Sequence, residues 1–316
     1  MERFKNVLLL NFIFVLLLSL IPVASLAASK RNDSPVNALA SQSDLSMRRS
    51  RSVTVNDPET GERTVMTEEY YLCGIVAAQM PAEYDDEAIK AQAVASYTLM
   101  KYRGKNANQE AEQGFISVKE MKRTWNGDFK KNYTRLKALV HSVYGEYIAY
   151  EGQPILAAYH EFSCGRTEYG KNIWDGEFPY LVPVGSRDDI CAENYRGSVR
   201  LTESEFKRIC GKKLNVVPDG DPKKWVGECV RSDSGYVMRC SICGVSINGQ
   251  KLRNAFALRS ACFTIKYDGK LFVFDVRGSG HGAGMSKFGA NLMALNGKNY
   301  RDILAYYYSG TSIQKD

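Results

Sequence analysis

Apolar residues run without a charge from Val7 to Ile21, behind Arg3 and Lys5 and ahead of the small residues Ala24, Ser25, Ala27 and Ala28. A positive end, an apolar middle and a small-residue exit mark a secretory leader. The stretch also approaches the ~20 residues that a spanning helix needs. Residues 1–28 therefore read as a cleaved signal peptide or a retained N-terminal membrane anchor, and either places the rest of the chain outside the cytoplasm. From Ser29 to Ser52 the apolar period vanishes, and Ser, Asn, Asp and Arg dominate, ending in Arg48-Arg49-Ser50-Arg51. Such a segment cannot bury enough surface to order itself, so a flexible basic linker is expected over 29–52.

Periodic patterning starts at Val53 and continues to the end of the chain, predicting one domain over 53–316. Val53 to Val55 and Arg63 to Met66 read as short strands about Asn56-Asp57-Pro58 and Gly61. Thr67 is suited to cap a helix whose first turn holds Glu68 and Glu69 and whose stripe is Leu72, Ile75 and Val76, ending near Met80-Pro81. A second helix is expected from Asp85-Asp86-Glu87 to about Tyr102, and its alanines at 88, 91, 93 and 95 let a neighbour approach closely. Leu136, Leu139, Val140 and Val143 predict a surface helix over 132–143, stopped by Gly145. Hairpins are expected for Glu146 to Tyr150 with Pro154 to Tyr159, and for Cys262 to Tyr267 with Lys270 to Val276 about Asp268-Gly269. A strand is expected from Gly235 to Val245. Two helices close the chain, one carrying Phe288, Leu292 and Leu295 to Asn296-Gly297, the other Ile303, Leu304 and Tyr307. The order predicts an α+β fold: a central helical hairpin packed with antiparallel β-hairpins and followed by C-terminal helices.

Composition adds little to this and excludes some functions. Apolar residues make up 44% of the chain and aromatic ones 11%, enough for a sizeable core. Net charge is +7, of which the leader supplies +1 (Arg3 and Lys5 against Glu2). A basic exported domain suits anionic wall polymers or a membrane surface, although a plain surplus of solvated lysine gives the same sum. Export argues against nucleic acid as a partner. The cysteines stand at 73, 164, 191, 210, 229, 240, 243 and 262, an even count that permits disulfides without choosing their pairing. Cys240 and Cys243 fall on opposite faces of the expected strand, which favours a disulfide or buried thiols over a metal hook.

Three segments look chemical. The first, Gly74 to Tyr84, turns between the central helices and contains Gln79, Met80-Pro81 and Glu83. The second runs from Tyr159-His160 through Ser163, Cys164, Arg166 and Glu168, directly after a strand. The third, Arg277-Gly-Ser279-Gly-His281-Gly-Ala-Gly-Met-Ser286-Lys287, lies between a strand and a helix. Its glycines permit close backbone approach to a ligand, and a helix start offers unpaired N–H groups. No Gly-Lys-Ser/Thr follows the glycines, so a phosphate loop is excluded. Ser279 and His281 are two apart on a glycine-rich turn, poor geometry for a serine hydrolase.

These segments, with Arg253 to Ser260 and Ile303 to Gly310, resemble in order and spacing the stage II sporulation protein D family (SpoIID/LytB-type domain), which includes amidase-enhancer proteins. The resemblance covers roughly Val65 to Ile313. It implies an extracytoplasmic peptidoglycan-remodelling protein, membrane-anchored or secreted at the cell wall. Its sporulation members are lytic transglycosylases that cut peptide-free glycan strands during engulfment. One carboxyl can protonate the departing oxygen and then accept the proton of the sugar's own 6-hydroxyl, so one glutamate suffices. The family places that glutamate in Ala-Ala-Glu-Met-Pro, and the matching residue here is Gln79. An amide cannot exchange that proton. Three accounts fit: a glycan-binding paralogue, an enzyme recruiting another carboxylate such as Glu83, or a laboratory exchange of glutamate for glutamine. His160, Ser163, Arg166, Glu168, Ser279, His281 and Ser286 are the expected groove residues, with capping of turns around the core as their structural alternative. Some members hold metal in the stretch matching Gly104 to Ser117, which has neither His nor Cys here, so no metal and no cofactor is expected. Lys287 stands where the family usually has glutamine. Expected partners are glycan strands, a cell-wall amidase and, through the N-terminal segment, a membrane.

Overall fold

The computed structural model describes residues 51–56, 63–105 and 114–316. The leader, the linker as far as Ser50, the turn about Gly61 and most of the Gly104 to Ser117 stretch lie outside the described residues. Among the described residues no helix is long and apolar enough to cross a membrane.

Strand β1 (Ser52–Asn56) pairs antiparallel with β2 (Arg63–Thr67) and feeds the first helix, α1 (Glu68–Gln79). Thr67 caps it as its sequence implies, its hydroxyl accepting from the Tyr70 N–H at 3.2 Å. Helix α2 (Asp86–Lys105) follows, with Ala88, Ala91, Ala93, Val94 and Ala95 fully enclosed. Small side chains let several elements pack on it at once. Thr98 shows how closely: its hydroxyl donates to the Val94 carbonyl at 2.6 Å and accepts from the Ile148 N–H at 2.9 Å, joining α2 to β3 (Glu146–Tyr150). Helix α3 (Val118–Trp125), which no periodicity announced, and α4 (Phe129–Val143) lie between, and α4 buries Leu136, Leu139, Val140 and Val143.

The expected hairpin beyond β3 is shorter than its pattern suggested. Only Gln153–Pro154 (β4) pairs with β3, at Tyr150 and Ala149. One more backbone bond, from the Ile155 N–H to the Ile148 carbonyl at 3.2 Å, follows Pro154, and Ile155, Ala157 and Ala158 are buried in the core. The other edge of β3 is taken by β13 (Ser312–Lys315) at the end of the chain. Tyr159–His160 (β5) pairs parallel with Met285–Ser286 (β12), which brings the second and third chemical segments side by side. Helices α7 (Lys287–Leu295) and α8 (Tyr300–Tyr307) complete this helical core.

A second core is mostly β. Strands order β10 (Phe263–Tyr267), β11 (Leu271–Arg277), β6 (Arg196–Thr202) in one antiparallel sheet, and β7 (Val226–Arg231), β8 (Val237–Ile242), β9 (Val245–Asn248) in another. Short helices α5 (Glu203–Ile209) and α6 (Gly249–Ala255) cover them. The strand expected over 235–245 is broken by a two-residue turn. Cys243 and Gly244 take φ +50° and +80°, the pattern of a tight hairpin, so Cys243 sits in a turn rather than on a strand face. Cys240 is bonded to Cys229 across β7 and β8. The architecture is α+β.

Phe206 on α5 is the hub of this second core, fully buried and stacked on Phe272 at 4.0 Å and Phe256 at 5.1 Å. Replacing it with alanine should cost about 3–5 kcal/mol, read from the urea midpoint. Val65→Ala, at a position 69% exposed, should shift the same midpoint by less than about 0.5 kcal/mol.

Candidate functional site

Helix α1 ends at Gln79 because Pro81 forces the residue before it out of helical backbone, and Met80 is extended at φ −119°, ψ 132°. The last carbonyls of a helix lack internal partners and carry its negative end. Lys287, the first residue of α7, supplies what is missing: its Nζ donates to the Gln79 carbonyl at 2.7 Å and lies 3.3 Å from the Gln79 side-chain Oε1. The same Nζ forms an ion pair with Glu161. Lys287's side chain is only 4% exposed, while Glu161's is 53% exposed. A nearly buried lysine thus holds together α1, α7 and the start of the second chemical segment.

Above this contact lies an open groove of about 610 Å³, lined among others by Gln79, Glu83, Thr124, Trp125, Asn132 and Glu161. Arg135 on α4 shapes its rim. The guanidinium donates to the Ala82 and Tyr84 carbonyls, both at 2.6 Å, and to Asp86 at 2.7 Å, pinning the turn that carries Glu83. Trp125 begins a stacked aromatic row with Phe129 and Tyr133. An amide, two carboxylates and an indole around one open groove can bind a polyhydroxylated chain by hydrogen bonds and ring stacking.

The other expected site residues are placed differently. His160, Ser163, Glu168 and Ser286 are buried, and none lines the groove beside Gln79. Directly past the end of β5, Glu161 is exposed where His160 is buried. Asp189, fully buried on the 3₁₀ turn Arg187–Cys191, accepts the Ser163 N–H at 2.7 Å and the Ser286 hydroxyl at 2.8 Å. Burial raises its pKa although those donors oppose the shift. Ser286 also accepts the Gly289 N–H at 3.0 Å, capping α7 directly before Lys287. Glu168 accepts from the Tyr169 N–H, from Asn172 and from the Ser232 hydroxyl. Arg166 is exposed and Ser279 partly so; the backbone of Ser279 pairs with Phe162 and that of Arg166 with Gly185.

The third segment's glycines serve close approach to protein rather than open space. A Cβ on Gly280 would sit 2.5 Å from the Cβ of His160, and one on Gly284 2.0 Å from the Ala158 carbonyl; both have positive φ. His281 is partly buried in the resulting nest. It accepts the Ala283 N–H at Nδ1, at 3.1 Å, and lies edge-on to Trp174 at 4.9 Å and beside His160 at 5.7 Å. Burial, then the charge of Arg253, lowers its pKa to about 4. His160 is also held well below the usual histidine range by burial and by His281.

Comparison with known proteins decides the kinship. A family model described as stage II sporulation protein matches residues 57–150. Stage II sporulation protein D of Bacillus subtilis (strain 168) is 34% identical over 260 residues, 78% of this chain and 74% of that protein. This chain belongs to the stage II sporulation protein D family. The stage II sporulation protein D of Bacillus amyloliquefaciens is 32% identical over 260 residues with the same coverage. The amidase enhancer of Bacillus subtilis (strain 168) is 26% identical over 293 residues, 77% of this chain and 40% of that protein. The matched segment of this family member carries Gln79, whereas Glu161 and Lys287 come from later in the chain.

Sequence reasoning passed over Glu161, Asp189, Trp125 and Arg135. Glu161 lies inside the second chemical segment, directly after His160, with no sequence signal to say which of the two faces the core. Nothing in Arg187-Asp188-Asp189 distinguishes the buried aspartate from its exposed neighbour.

Two measurements test this geometry. Lys287→Gln keeps a donor for the Gln79 carbonyl but abandons Glu161, which can rehydrate. The cost should therefore be about 1–3 kcal/mol rather than the larger penalty of stranding a buried charge, as measured by denaturant unfolding. Histidines with depressed folded pKa values are neutral in both states above about pH 6.5; below that, the unfolded chain takes up protons first. Stability is thus lost as pH falls from about 6.5 towards 4, by up to roughly 3 kcal/mol from His281. Asp189, with its raised pKa, works in the opposite sense, so the diagnostic is a difference: the slope of stability against pH over this window should be shallower in His281→Gln than in the native protein.

Proposed function

We propose that this protein binds peptidoglycan glycan strands in the groove beside Gln79, on the outer side of a membrane, as part of wall remodelling in sporulation, and that it does so without the transglycosylase step. The observation that carries the reading is Gln79 itself. It occupies the position of the family's acid, at the end of α1, in an open groove beside Glu83, Glu161 and Trp125. An amide retains the hydrogen-bonding shape of a carboxyl and loses its exchangeable proton, so strand recognition survives and proton transfer to the departing sugar oxygen does not. Lys287 reinforces this loss, because a carboxyl at position 79 would face its Nζ and be held ionised, a poor state for an acid.

The leader and the basic linker over 29–52 support tethering at the membrane face. Similarity to an amidase enhancer supports a wall amidase as a partner that this protein presents to the strands. The competing reading keeps an enzyme and recruits Glu83 or Glu161 as the acid; both line the same groove. Glu161 is already engaged in the ion pair with Lys287, so serving as the acid would require it to leave that partner.

One assay separates the two. The domain is incubated with peptide-free glycan strands, and mass spectrometry follows 1,6-anhydro-muramic ends while pelleting follows binding. The native protein should bind and yield no anhydro product. Gln79→Glu alone should yield little, and Gln79→Glu combined with Lys287→Gln clearly more. Anhydro ends from the native protein would refute the binding-only reading, and absence of pelleting with folded protein would refute strand recognition.

A further inference from the structure

The loop from Phe162 to Glu168, directly after Glu161, contains Cys164, and Cys262 immediately precedes β10. These two thiols meet. Cys164 packs on a small buried cluster of Tyr236, Ala261 and Cys262, separate from both large cores. Its Sγ lies 3.1 Å from the Ser234 carbonyl and its N–H donates to the Tyr236 hydroxyl at 3.3 Å. The Cys262 Sγ sits 3.9 Å from where a Cβ on Gly235 would be, on the same turn as Ser234. The two cysteines are neighbours in this cluster, and the Arg277 guanidinium is close enough to the Cys262 sulfur to favour its thiolate. Both cysteines are free in this structure, Cys164 partly exposed and Cys262 buried.

We propose that Cys164 and Cys262 form a redox-reversible disulfide site, oxidised by a disulfide-bearing partner such as oxidised glutathione or a thiol–disulfide oxidoreductase. The reaction needs one accessible sulfur and one thiolate held behind it. Cys164 supplies the first. Its neighbour Cys262 and burial raise the Cys164 pKa, so the attack draws on the small fraction that has lost its proton to solvent. That thiolate attacks the oxidant's disulfide, forming a mixed disulfide and releasing one thiolate of the oxidant. Cys262 then loses its proton to solvent and attacks the Cys164 sulfur, expelling the second oxidant thiolate. Two thiols have become one disulfide, and the oxidant's disulfide has become two thiols. In the reduced protein the Cys164 thiol, followed by the guanidiniums of Arg277 and Arg231, lowers the Cys262 pKa to about 7. In the mixed disulfide Cys164 has no proton to donate, and the two guanidiniums alone favour the Cys262 thiolate for the second step.

The consequence is mechanical. Cys164 belongs to the loop between Glu161 and Glu168, whereas Cys262 leads directly into the aromatic β core at Phe263. Their bond would close a chain segment of about 100 residues, a constraint felt strongly by the unfolded chain. It would also clamp the loop that carries the groove's Glu161 against the second core. None of this depends on what the groove binds.

The test uses the whole chain, reduced, then treated with oxidised glutathione, alkylated and digested. Mass spectrometry should find the Cys164 and Cys262 peptides joined, with the loss of two hydrogens. The melting temperature should rise on oxidation and return with dithiothreitol. Cys164→Ser, at the partly exposed position, should fold and show no rise. Cys164 held permanently as its glutathione adduct with Cys262 unreacted, or a melting temperature that rises equally in Cys164→Ser, would overturn the proposal.

Discussion

The contact on which the groove depends is a lysine placed where water cannot compensate it. Lys287 is nearly enclosed, and a buried charge of that kind is tolerated only when acceptors replace its hydration. Three acceptors do so: the terminal carbonyl of α1, the side-chain oxygen of Gln79, and the carboxylate of Glu161. Two belong to Gln79 and one to Glu161, so the lysine joins distant parts of the chain, and independent constraints fix the lysine and its two partner residues. Pro81 ends α1 at Gln79, Ser286 caps α7 one residue before Lys287, and the pairing of β5 with β12 brings Glu161 alongside. The position of the groove is thus set by where two helices stop and start.

Behind it, the polar residues of the second and third segments act as fasteners. Asp189 receives Ser163 and Ser286, Glu168 reaches Ser232, and the two histidines fill a nest closed by glycines. The two carboxylates are well supplied with donors, and a network of this kind fixes the geometry of what it supports, although the buried His160 Nε2 has no partner. These residues lie inside the fold, whereas Gln79, Glu161 and Trp125 line the open groove.

Much of the fold was legible from local patterning. Thr67, the alanine-rich α2, the α4 stripe and the Asp268-Gly269 turn all carry signals that tertiary contacts leave intact. The failures have physical causes. The strand over 235–245 hid a turn because Cys243 adopts positive φ without being glycine. The hairpin after β3 dissolved because its pairing edges go to the end of the chain and to the third segment, partners far away in sequence. The candidate site was legible as a set of segments and illegible as a surface. Spacing named His160 and passed over Glu161, since it does not say which neighbour faces the core. It flagged Lys287 as a change of charge without revealing that its Nζ ends beneath Gln79.

Hydrogen exchange of the folded protein with and without peptide-free glycan strands addresses the central claim directly, because it reports where a strand lies whether or not any bond is cut. Added strands should slow exchange over residues 77–83 and 124–132 and around Glu161, leaving 279–286 unchanged. Slowing confined to 279–286, with the groove residues exchanging as before, would contradict the assignment of the groove beside Gln79 as the place where the strand binds.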